Sequence, residues 1–148
     1  MRLDEKDFEL LEQLGKNGKA SQRELARETG VALGTVNSHI RKLEKEKVIK
    51  GYFADIDSEK VGFNLTAVIN LRIKKGSLMD VQASIAKHSR VFGVYDVTGE
   101  WDSLILARFK SREEMDRFIK TTLSQNFIER TSTSLVLNTV KEEPRVLL

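Results

Sequence analysis

Between Val31 and Tyr52 the chain reads VALGTVNSHIRKLEKEKVIKGY, and its hydrogen-bonding and basic residues gather on one side of a helix. At about 100° per residue, Val36, Ile40 and Leu43 make a stripe that turns inward. Gly34, Ser38, Arg41 and Lys45 project nearly opposite, with Asn37 and Lys42 beside them. From Asn37 to Lys50 there are five basic and two acidic residues, a local excess in a chain whose net charge is only +3. The chemistry open to such a face is recognition of a polyanion. A duplex major groove admits one helix, with its N-terminal part toward the base edges. Thr35, Asn37 and Ser38 are therefore the candidates for reading bases, Asn37 by a two-point contact with adenine. Arg41, Lys42 and Lys45 are the candidates for holding phosphates. The competing reading is a solvated basic face on an ordinary bundle.

Other reactive residue types are sparse. Two histidines stand at unrelated positions and there is no cysteine, so neither a metal site nor thiolate chemistry is expected. His39 falls at the edge of the apolar stripe and reads as a packed side chain. His88 ends a helix, where its charged form suits the dipole. No serine lies in a nucleophile-elbow sequence, and GKNGKA lacks the phosphate-loop pattern. Glu113 and Glu114 open a helix whose dipole they favour. These absences argue against a covalent or metal-dependent hydrolase, and no catalytic residue, metal or cofactor is assigned. They leave a cofactor-based enzyme open.

The basic helix needs partners to hold it. Asp4 can cap a first helix with Phe8, Leu10, Leu11 and Leu14 on its apolar face, broken by GKNGKA. SQRE is a capping box that opens a short second helix from Ser21, and Gly30 supplies its left-handed end. A helix-turn-helix requires a small residue in its first helix, glycine in the turn and apolar anchors in the second. Ala26, Gly30, Val31, Val36 and Ile40 meet that pattern; Thr29, where an apolar residue is common, and Ala32, which offers no cap, depart from it.

With 148 residues the chain is long enough for one domain or two small ones, and its 40% apolar and 32% charged residues with one proline argue against disorder. The acidic start MRLDEKDFELLEQL is unlike a signal peptide, and no stretch approaches the roughly 18 apolar residues of a membrane span. A cytoplasmic protein with no membrane partner is expected. VIKGYFADID reads as a strand or hairpin linking two halves. From Leu65 the period becomes two, with Leu65, Ala67, Ile69, Leu71 and Ile73 alternating with polar residues and Val68. Ser77 caps a helix over Leu78, Val81 and Ile85. Val91 to Thr98 and Ser103 to Phe109 read as strands around the GEWD turn. SREE is a capping box for a helix with Met115, Phe118, Ile119 and Leu123, and a last strand runs from about Arg130 to Val140. The order is βαββαβ, a ferredoxin-like arrangement with both helices on one sheet face. Val68 on the other face points to a cover, most simply a second copy of the chain. The expected plan is α+β, with a helix-turn-helix domain at 1–50, a linker at 51–63 and a ferredoxin-like domain at 64–148.

The helix-turn-helix running into IRKLEKEKVIKGY, the apolar strand, the VTGEWD turn and the terminal TSTSLVLNTVKE together resemble the Lrp/AsnC, or feast/famine, regulators over nearly the whole chain. The resemblance implies a transcriptional regulator that binds double-stranded DNA, dimerises sheet to sheet and assembles further, often into octamers, with an amino-acid effector bound where dimers meet. It also implies effector contacts at Gly99, Glu100, Trp101 and Asp102 and at the polar segment of the last strand, Thr131 to Ser134. A zwitterion needs an acceptor for its ammonium group, a role open to Asp102. It needs donors for its carboxylate, such as the amides near Gly99 or the hydroxyls of Thr131 and Thr133. The bland alternative is a tight turn that uses Gly99 and Asp102 for its own backbone. Sirohaem decarboxylases resemble this family and share its two-domain plan, but they would bind a tetrapyrrole through histidine and arginine in the C-terminal half, where His88 is the only histidine. A DNA-coating architectural protein is a third reading.

Overall fold

The structure is a computed structural model that describes residues 2–143 and Val146. It divides into two compact units. One runs to Asp55 and takes in the segment from Lys141; the other is Ile56–Val140.

The first unit is three helices, α1 (Glu5–Lys16), α2 (Gln22–Thr29) and α3 (Leu33–Lys45). Both expected starts are made by side chains. Asp4 and Asp7 cap each other's amides at the head of α1 (2.9 and 3.0 Å). Ser21 and Glu24 do the same for α2 (3.2 and 2.7 Å). Gly30 ends α2 at φ 67°, a left-handed conformation that carries no Cβ penalty there. Ala32 gives α3 no side-chain cap. Leu10, Leu25, Val36 and Ile40 form the core, with Leu14, Ala20, Ala26, Val31 and Ile49 against it. Phe8 departs from expectation: it is half exposed, and Asp7 is buried in its place.

No strand forms between α3 and Leu65. Phe53 (89% exposed) and Ile56 (64%) have the β-forming side chains that suggested one, yet a strand needs a partner ladder and this chain supplies none there.

The second unit is β1 (Leu65–Ile73), α4 (Leu78–Ala86), β2 (Val91–Asp96), β3 (Ser103–Phe109), α5 (Arg112–Thr122) and β4 (Ile128–Leu135). The sheet is antiparallel in the order β2-β3-β1-β4. Ala67, Ile69, Leu71, Ile73, Ile105, Ala107 and Phe109 share one face with Val81 and Ile85 of α4 and Met115 and Phe118 of α5. Both helices thus cover one face, as the alternation required. The opposite face carries half-buried Val68, Leu104 and Leu106. Two caps differ from expectation. Ser77 occupies the cap position of α4 without a side-chain bond. At α5 the Ser111 hydroxyl accepts from the Glu114 amide (3.2 Å), but Glu114 turns to the Lys110 amide (2.7 Å) and Arg90 instead of back to Ser111. β4 also stops at Leu135, short of Val140. Leu135 pairs with Ala67 and the Val136 amide bonds Thr66, so the start of β1 leaves nothing further to pair. Leu137 and Val140 are almost fully exposed.

Candidate functional sites

The outer face of α3 is arranged as the sequence predicts. Val36, Ile40 and Leu43 are buried, while Ser38, Arg41 and Lys45 are exposed and Thr35 and Asn37 half-buried. Among the described residues Arg41 and Lys45 form no ion pair, so their charges are available to a polyanion. Gly34 is also exposed, leaving the first turn of α3 low and open.

Lys42 is different. Its Nζ donates to Asp7 Oδ2 (2.9 Å), while His39 Nδ1 lies 2.7 Å from Asp7 Oδ1. Unlike Arg41 and Lys45, Lys42 is therefore already engaged by a buried acid of α1. Burial alone would raise the Asp7 pKa, but the Asp4 amide, His39 and Lys42 outweigh it and hold the carboxyl down at about 2. The bond to Asp7 in turn raises the Lys42 pKa. Ligand atoms of Asp4, Asp7 and His39 come within 4.8 Å of one another, but both Asp7 oxygens are spent on the side chains of α3. Asp7 was not foreseen. The available signal was an acid placed three residues after a capping Asp4, on the side of α1 that meets α3.

In the second unit the turn after β2 borders an open hollow of about 320 Å³ lined by Arg72, Gly99, Glu100, Trp101 and Arg130. Gly99 is at φ 114°, a conformation that favours glycine. The hollow therefore brings together Gly99, Glu100 and Trp101 of the expected effector residues. Asp102 ties the turn to the end of β1: its Oδ2 accepts from the Ile73 amide (2.8 Å) and its amide donates to the Leu71 carbonyl (2.9 Å). Thr131 and Thr133 do not line it. They pair with Leu71 and Ile69, whose side chains face the helices, whereas Arg130 pairs with Arg72 on the other face. The period of two separates the threonines from the hollow and places Arg130 there. Neither arginine was foreseen; the pattern that marks them is a basic residue at an outward position of each of two neighbouring strands.

His88 belongs to neither site. Its ring packs edge-on to Phe118 at 4.7 Å, and its Nδ1 accepts from the Arg90 amide (3.2 Å). No helix among the described residues is long and apolar enough to cross a membrane.

A helix-turn-helix with an unpaired basic face, carried in one chain with a ferredoxin-like unit, defines a regulator of the DNA-binding class. Comparison with known proteins agrees for both halves. Residues 3–50 match the model of a winged helix-turn-helix DNA-binding domain, and residues 66–146 match that of the Lrp/AsnC ligand binding domain. The chain belongs to the Lrp/AsnC family of transcriptional regulators. An uncharacterised HTH-type transcriptional regulator of Pyrococcus abyssi is 42% identical over 144 residues, 97% of this chain and 98% of its own. The HTH-type transcriptional regulator FL11 of Pyrococcus horikoshii is 37% identical over 140 residues, 95% of this chain and 93% of its own. Among solved structures, a transcriptional regulator of Neisseria meningitidis in complex with L-methionine superposes with a TM-score of 0.88 at 27% identity, over 98% of this chain and 96% of that one. The Escherichia coli AsnC structure shares the fold at 21% identity and a TM-score of 0.86, over 97% of each chain.

Proposed function

We propose that this regulator lays α3 in the major groove of a specific duplex and answers to an amino acid held beside the Gly99–Trp101 turn. The observation that carries the first half is the outward row Ser38, Arg41 and Lys45, set back to back with the buried stripe Val36, Ile40 and Leu43. Thr35, Asn37 and Ser38 read bases in this account, and Arg41 and Lys45 hold phosphates. Two copies, joined through the sheet face that bears Val68, Leu104 and Leu106, would present two such helices to a roughly palindromic site in the cytoplasm. Dimers would then associate further. The hollow at the turn and the methionine bound by the Neisseria relative support the second half. For the ligand to regulate, it must bind the competing assemblies with different affinity. The test is selection of bound duplexes from a random pool, with and without the amino acids. A recovered two-fold motif whose occupancy changes with one amino acid is the expected result. Equal retention of all duplexes would contradict sequence reading and favour a coating protein.

A further inference from the structure

Arg72 and Arg130 stand directly opposite one another in the β1–β4 register. Like charges in a direct cross-strand pair repel, so the sheet holds two guanidinium groups together against their repulsion, both at the wall of one hollow. Little inside the unit answers them. The Glu100 carbonyl accepts from Arg72 Nη1, and the Glu100 carboxylate from Arg130 Nη1 at 3.3 Å, long for a charge-assisted bond. Arg72 Nε makes a long ion pair with Asp102 Oδ2 at 3.7 Å, without a hydrogen bond, and that oxygen is already bonded to the Ile73 amide. Arg130 also lies over the Trp101 ring, its Cζ 4.9 Å from the centroid. Each guanidinium has five N–H donors and gives one of them to a protein acceptor here. Both side chains remain open, 47% and 67% exposed.

Resting on the reading of this hollow as the effector site, we propose that its ligand is a dicarboxylic amino acid, bound by Arg72, Arg130 and Glu100. The two carboxylates take one guanidinium each. The ammonium group takes Glu100, the one carboxylate on the lining, once its long contact with Arg130 is exchanged for the ligand. A neutral amino acid leaves one arginine unmatched, and a basic side chain meets a like charge. A dicarboxylate without an amine sets its charge against Glu100. Asp102 acts as a positioning residue that holds the turn.

The test is titration calorimetry of the full chain with each amino acid and with succinate, repeated on Arg130→Gln. Aspartate or glutamate should bind tighter than its own amide by about tenfold or more, and Arg130→Gln should remove most of that gap. The melting temperature of the unliganded variant should stay level or rise, since a like-charge pair is relieved. Tighter binding of a neutral or basic amino acid, equal binding of succinate, or an acid-over-amide preference that survives Arg130→Gln would each overturn the inference and leave the effector site itself in place. Binding of nothing at all would overturn the effector reading along with it.

Discussion

Asp7 is the side chain on which the first unit depends most. It is fully buried, caps α1 and holds two residues of α3. Replacing it with Asn keeps the volume and removes the charge, at a cost of about 1–3 kcal/mol for the partners left poorly matched. The pH dependence has a definite sign. The folded-state pKa of about 2 lies below the ordinary 3.8, so the stabilisation is complete above 3.8 and disappears as pH falls through about 2. Urea unfolding between neutral and strongly acid pH should show the wild type losing more stability than Asp7→Asn across that window. Parallel curves would show that the carboxylate carries no such coupling. The same acid engages Lys42, basic and beside the outward face of α3, whereas Arg41 has no such partner among the described residues: a residue's angle on its helix says where it lies, and not which partner it meets across the unit.

Elements with a clear period were legible before the structure, and those that depend on a distant partner were not. Val36, Ile40 and Leu43 locate α3, and the alternation from Leu65 to Ile73 locates β1, because burial of one face is local to the pattern. The expected strand around Gly51 and the length of β4 failed for one reason. Both required pairing that the sequence of the segment does not encode, and β4 ends where β1 begins. The hollow proposed for the effector was half legible. Gly99, Glu100 and Trp101 lie together on a turn, but Arg72 and Arg130 come from strands distant in sequence and meet only through the register. That register also excludes Thr131 and Thr133. The turn itself makes a prediction. Gly99→Val forces a side chain into φ 114°, a strained conformation that costs about 1–3 kcal/mol. It should lower the melting temperature of the chain and weaken ligand binding at the hollow. A melting curve unchanged by the substitution would mean that the turn relaxes freely and that glycine is not required there.

Across the whole molecule, two surfaces with different chemistry are carried on units with separate cores: a basic helix face, proposed to meet a polyanion, and an arginine-flanked hollow, proposed to hold a small ligand. Net charge is only +3, so nucleic-acid affinity must come from where the cations stand rather than from their total. Affinity should therefore depend on salt through α3. If a dimer neutralises six to eight phosphates, affinity falls roughly 10³-fold or more between 50 and 200 mM salt. The most direct measurement is fluorescence anisotropy of the full chain on a selected duplex across that range, for the wild type and Arg41→Ala. Arg41→Ala should bind more weakly at every salt concentration, with a log–log slope shallower by about one per DNA-binding unit. Equal affinity and equal slope for the two proteins would contradict the placement of α3 against the phosphates, and with it the claim that this helix reads the duplex.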